Sequence, residues 1–226
     1  MQVQEGDRIF VSGATGSIGE AAARLLYERG LKPLIGYHRN EVKARQLAQE
    51  LDGEAVQLGT GELHLPNPVE NESSPITGIV LAASPVLRIE PLRKLDMVDL
   101  QAQWDVNVGE HFQLCQALIN AHMKQNRRGV VVGVLSDAMG GGNAKAAPQM
   151  GAYTIAKYGL LGLMKAFEAE YAWLRFEPVS LGYTETSMLD AFDPRFLDMM
   201  RKKEPNQRFS SPQEAAAKIV DAVFAT

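Results

Sequence analysis

Short apolar runs alternate along the chain with stretches whose apolar residues recur every three or four positions. The runs RIFVSG (8–13), KPLIGYH (32–38), EAVQLG (54–59), TGIVLAAS (77–84), GVVVGVLS (129–136) and FEPVSLG (176–182) read as six strands. Between them, IGEAAARLLYERG (18–30), EVKARQLAQEL (41–51), a long stretch over about 97–125 and GAYTIAKYGLLGLMKAFEAEYA (151–172) read as helices. A last helix, SPQEAAAKIVDAVFA (211–225), opens with Ser211 as N-cap, Pro212 in the first turn and Glu214 three residues past the cap. This alternation predicts an α/β fold, a doubly wound parallel sheet of six or so strands with helices on both faces. The segment LHLPNPVENESSP (63–75) stands where a crossover helix is expected between the third and fourth strands. Pro66, Pro68 and Pro75 make that helix short or absent, and a surface loop is the favoured reading.

Bulk properties narrow the function by exclusion. A chain of 226 residues is read as one domain over 1–226 with a substantial core. Its net charge of -4 advertises no basic surface for nucleic acid. No apolar run is long enough to span a membrane, and the first residues lack a basic-then-apolar leader. Cys115 is the one cysteine, so no internal disulfide forms, and a reducing, cytoplasmic compartment is expected. Cys115 itself reads as a small core residue. The four histidines have no metal-ligand spacing, so no metal site is expected.

The first strand runs straight into SGATGSIG, with Gly13, Gly16 and Gly19 spaced three apart before a helix. Strand, glycines and helix in this order make the dinucleotide-binding turn. The glycines allow a tight turn, a close approach to the pyrophosphate and close helix packing, and the phosphates rest on free N–H groups at the helix start. Thr15, Ser17 and Ile18 lie within the same turn. At the end of the second strand, where an acid usually binds a ribose 2′-hydroxyl, the chain has Arg39. A guanidinium there favours a 2′-phosphate, so NADP(H) is expected over NAD(H); a solvated loop arginine is the competing reading. Further along, Tyr153 and Lys157 lie four apart and share one helix face. An ammonium beside a phenol lowers its pKa, which suits a tyrosine used as general acid and base.

Taken together these elements resemble the short-chain dehydrogenase/reductase family from about 8 to 182, and loosely to 188. The matching residues are the SGATGSIG turn, Asn107 in WDVNVGEHF, Ser136 at the end of the fifth strand, Tyr-x-x-x-Lys at Tyr153 and Lys157, and SLGYTETSM with Gly182, Thr184 and Thr186. The resemblance implies a single Rossmann-type domain and reduction of a carbonyl by hydride transfer. It implies that Tyr153 donates the proton and that Ser136 holds the substrate oxygen. It implies that Lys157 lowers the tyrosine pKa and holds the nicotinamide ribose, and that Asn107 holds a water feeding protons towards Lys157. Ala82 and Ala83 would border the cofactor, and Gly182, Thr184 and Thr186 its nicotinamide end. Ser136 also reads as a strand-end turn former, Asn107 as a polar residue bonding helix backbone, and Thr186 as a helix N-cap.

Four departures qualify the match. The spacing Gly13-x-x-Gly16-x-x-Gly19 is that of the family's longer, sugar-nucleotide branch, for whose substrate domain 226 residues leave no room. The acid expected after strand three, which would touch adenine, is replaced by Leu58, Gly59 and Thr60. The family's Asn-Ala-Gly after strand four reads Ala82, Ala83, Ser84. The sequence stops before the family's last strand, so a homodimer through the long helices, or a monomer, is expected rather than a tetramer. The loop 137–151 carries Gly140–Gly142 and would border the substrate. The segment 187–209, with Leu189, Phe192, Phe196, Leu197, Met199 and Met200, reads either as a lid or as an amphipathic helix on the domain body. The favoured function is an NADPH-dependent carbonyl reductase, with 3-oxoacyl thioester reductases the nearest broad resemblance. A catalytically silent nucleotide sensor and a sugar-nucleotide-modifying enzyme are the alternatives.

Overall fold

The computed structural model describes residues 3–59, 65, 75–141 and 144–225. Six parallel strands, β1 (Arg8–Ser12), β2 (Lys32–Tyr37), β3 (Ala55–Gln57), β4 (Ile76–Leu81), β5 (Val130–Ser136) and β6 (Arg175–Leu181), pair in the order β3-β2-β1-β4-β5-β6. The order reverses direction between β1 and β4, which opens a crevice beyond their carboxyl ends.

Side chains of β1 alternate between two cores, as a strand buried on both faces requires. Ile9 and Val11 join α1 (Ser17–Glu28), α2 (Glu41–Glu50) and α7 (Pro212–Phe224), whose alanines and leucines let the helices sit close to the sheet. Phe10 joins the opposite face with α4 (His111–Leu118) and α5 (Gly151–Glu170). The start of α7 is the expected capping box: Ser211 accepts from Glu214 N–H while the Glu214 carboxylate takes the Ser211 N–H.

Several boundaries differ from the sequence expectation. Strand β4 stops at Leu81 because the next backbone N–H groups, of Ala82 and Ala83, are taken by the Ser12 hydroxyl at 2.9 and 3.1 Å. The long helix is not uniform. After α3 (Met97–Trp104) the backbone widens into a π turn at Asp105–Glu110, resumes as α4, and widens again at Ile119–Met123. Such turns insert a residue and are common at functional sites. Most of the proline-rich segment 63–75 lies outside the described residues, as do Thr60 and Gly142.

The segment after β6 holds a short turn at Ser187–Ala191 and the helix α6 (Pro194–Arg201). Leu189, Leu197 and Phe209 form a small core of their own. Phe192 touches both this core and the cluster around Tyr153, so the segment packs on the domain body and also walls the crevice.

Candidate active site

The glycine turn is shaped by close approach. Gly13 has φ +67°, and a Cβ there would lie 2.8 Å from Ala83 Cα. A Cβ on Gly19 would lie 2.3 Å from the Gly13 carbonyl oxygen. Gly16 stands at the N-cap of α1 with no side-chain acceptor for the helix's first N–H groups, and Ser17 and Thr15 flank it at the surface. The result is a backbone cradle at a helix N-terminus that fits an anionic pyrophosphate. Arg39 is exposed past the end of β2 and forms no ion pair among the described residues.

Pairing of β5 with β6 sets Ser136 beside Leu181, one residue before Gly182. The Ser136 hydroxyl accepts from Ala138 N–H at 3.2 Å, so it does cap a turn. It also reaches the Tyr153 side chain, where its hydrogen bond favours the phenolate. Burial acts more strongly and raises the Tyr153 pKa. This differs from the expectation of a phenol lowered by Lys157: burial outweighs the hydrogen bond from Ser136.

Lys157 is almost wholly buried and donates to the Val134 carbonyl at 2.8 Å. Desolvation lowers its pKa to about 7, and its head group lies 5.6 Å from the centre of the Tyr153 ring. An ammonium has three donors, so two remain for other acceptors.

Asn107 sits fully buried in the first π turn. Its Nδ2 donates to the Gln103 carbonyl at 2.9 Å, as the helix-bonding reading expects, but its Oδ1 is buried with no hydrogen-bond partner among the described residues. The Asn107 backbone carbonyl accepts from His111 Nδ1 at 3.0 Å. Since that nitrogen must carry the proton, His111 Nε2 is the acceptor for the Ser12 hydroxyl at 3.0 Å. Ala82 and Ala83 N–H, Ser12, His111 and Asn107 thus form one buried chain joining β1, β4 and the π turn. Gln103, Asn107 and His111 recur every four residues, a polar line on a buried helix face; that spacing was the available signal for Gln103 and His111.

Burial and the nearby Lys157 charge lower the His111 pKa from 6.5 to about 3. The folded state therefore refuses a proton that the unfolded chain takes below pH 6.5. Stability is fully present above that pH and declines as pH falls towards 3, by about 1.4 kcal/mol per unit. Chemical denaturation at pH 6.5 and pH 5 should show this loss in the wild type beyond that in His111→Gln; equal slopes would contradict a buried neutral His111.

At the far side, Thr186 accepts from Met188 N–H and caps the turn Ser187–Ala191. The buried Thr184 hydroxyl donates to the Gly182 carbonyl at 3.1 Å. Tyr153 is packed among Leu87, Met150, Met188, Ala191 and Phe192, an apolar wall beside the Ser136 and Tyr153 hydroxyls. Met150 belongs to the loop 137–151, and Met188, Ala191 and Phe192 to the segment 187–209; Leu87 is the one residue of this wall that lies outside both. A protected phenol, a serine at its oxygen, a buried amine and an apolar wall can hold a carbonyl group and give its oxygen a proton.

The family model described as short chain dehydrogenase matches residues 7–195. The chain belongs to the short-chain dehydrogenase family. It is therefore an oxidoreductase of the nicotinamide-dependent type that defines that family. The 3-oxoacyl-(acyl-carrier-protein) reductase of Vibrio cholerae is 28% identical over 225 residues, covering 95% of this chain and 88% of the relative. Nodulation protein G of a Rhizobium species (strain N33) is 27% identical with the same coverage. Among solved structures, a gluconate 5-dehydrogenase from Burkholderia cenocepacia in complex with NADP and tartrate superposes with a TM-score of 0.82 at 24% identity, covering 98% of this chain and 88% of that one. That likeness carries the fold. No described helix of this short-chain dehydrogenase is long and apolar enough to cross a membrane.

Proposed function

We propose that this short-chain dehydrogenase reduces a ketone or 3-oxoacyl group to an alcohol with NADPH. The observation that carries the reading is the buried Tyr153 beside Ser136, with Lys157 one helical turn on. The Gly13–Gly19 turn would hold the pyrophosphate, Arg39 the 2′-phosphate, and Lys157 the nicotinamide ribose. When bound, the dinucleotide supplies the hydride. Ser136 holds the substrate oxygen. Tyr153 gives that oxygen its proton as the carbon is reduced, and Lys157, near neutrality in pKa, can pass a proton back. Asn107, with its unpartnered Oδ1, would hold the water that supplies it. Relatives that reduce 3-oxoacyl chains support an acyl thioester, and the apolar wall of Leu87, Met150 and Met188 suits one. Residues 187–209 would act as a cover over that wall.

NADPH consumption should be followed with an acetoacetyl thioester and a set of simple ketones. Alcohol formed in step with NADPH loss supports the reading; bound NADPH with no turnover on any carbonyl would favour the silent sensor. Arg39→Ala should weaken NADPH about tenfold, the worth of one charge-assisted contact, and leave NADH unchanged. Equal loss for both would remove Arg39 from the 2′-phosphate site.

The exposed face of α3, α4 and α5 carries Trp104, Phe112, Ile155 and Tyr158. Trp104 lies against the place of a side chain at Gly159, and the Phe112 ring stands 6.0 Å from Phe167, so α3 and α4 both meet α5 along this surface. This surface would join a homodimer. Trp104→Glu should convert a dimer to a monomer by light scattering, and a wild type that is monomeric at micromolar concentration would refute it. A cytoplasmic location fits the single reduced cysteine, buried in α4.

A further inference from the structure

The adenine end of the crevice lacks the acid that usually follows the third strand; Leu58 and Gly59 stand there. The structure supplies a carboxylate from another direction. Glu110 closes the π turn that holds Asn107, and its Oε1 accepts from His38 Nε2 at 2.7 Å. His38 is the residue just past β2. Its ring lies against Gly59, just past β3, where φ is +77° and a Cβ would fall 2.1 Å from Nε2. Glu110, His38 and Gly59 thus meet beyond the carboxyl ends of β2 and β3, on the side of the glycine turn away from Ser136 and Tyr153. In a doubly wound sheet a dinucleotide crosses the switch point, and its adenosine half lies on this side.

One oxygen of this carboxylate is unspent. Glu110 Oε2 is buried and has no hydrogen-bond partner among the described residues. A buried carboxylate oxygen needs a donor. We propose that Glu110 recognises the 6-amino group of the adenine ring, replacing the missing acid after β3. The Oε1 side is held by the half-exposed His38 imidazole, and on this proposal that ring, which lies over Gly59, turns aside as the base enters. With the imidazole turned aside, Gly59 sets no side chain against the face of a purine. An acceptor at this point selects a base with an amine at C6 and opposes one with a carbonyl there.

The inference rests on the reading that an adenine dinucleotide binds this crevice, and calorimetric titration separates the two. The wild type is titrated with NADP+ and with its hypoxanthine analogue, in which a carbonyl replaces the 6-amino group. NADP+ should bind roughly tenfold to a hundredfold more tightly, the range for a hydrogen bond to a charged group. Glu110→Gln should bind the two about equally, because its amide can present either a donor or an acceptor. Equal affinities in the wild type, or full discrimination kept in Glu110→Gln, would overturn the role of Glu110 while leaving the dinucleotide site standing. Failure of the wild type to bind either compound would overturn both. The wild-type comparison needs no variant to fold.

Discussion

Tyr153→Phe is expected to lower turnover about 10²- to 10⁴-fold, the usual contribution of a positioned general acid. The substitution removes one oxygen from a ring that is almost wholly buried among Leu87, Met150 and Phe192, so the packing remains. It also removes the group that shares a hydrogen bond with Ser136. NADPH affinity should be unchanged, because Lys157 and the glycine turn are untouched and Lys157 keeps its bond to the Val134 carbonyl. Steady-state kinetics beside a binding titration checks both halves. A variant that turns over at the wild-type rate would show that the proton comes from elsewhere; a variant that loses NADPH would show that Tyr153 serves binding.

Gly19→Ala should have the opposite signature, with binding lost first. The new methyl group would sit 2.3 Å from the Gly13 carbonyl oxygen and 2.9 Å from Ala14 Cα, both backbone, so the turn itself must move. Overpacking of this kind costs roughly 1–3 kcal/mol in stability. The displaced turn presents its N–H groups wrongly to a pyrophosphate, and NADPH affinity should fall at least about tenfold. Thermal melts with and without NADPH report both effects. The variant should melt lower and gain little from NADPH, whereas the wild type gains by mass action. A variant that keeps the full NADPH-induced shift would mean that the cradle does not hold the phosphates.

The parts of the molecule legible in the sequence were those fixed by local pattern. Valine-rich and isoleucine-rich runs become strands because both faces of the sheet are covered, and Ser211 with Glu214 caps α7 as their spacing required. Strand β3 is shorter than its apolar run: the ladder with β2 spans Ala55–Gln57, and Glu54 and Leu58 add one backbone bond each, to Ile35 and Tyr37. The π turns at Asp105–Glu110 and Ile119–Met123 left no mark in the apolar periodicity, which runs on through them. The position of the helix is set by tertiary bonds: His111 to Ser12, and Gln103 to the Val86 carbonyl. In the candidate site, the sequence points to Ser136, Tyr153 and Lys157 because a resemblance joins distant motifs. It does not point to their electrostatics, because desolvation depends on what packs around them; the Tyr153 phenol is raised where the spacing with Lys157 suggested lowering. Nothing in SLGYTETSM tells that the Thr184 hydroxyl bonds the Gly182 carbonyl while Thr186 caps the next turn. Glu110 and His38 are 72 residues apart in sequence, and no local pattern announces their pairing.

The most direct test of the account is an equilibrium titration of the protein with NADPH and with NADH, followed by the fluorescence of the reduced nicotinamide. The account predicts saturable binding of both, tighter for NADPH, at one site per chain. Absence of saturable binding for either dinucleotide would contradict it.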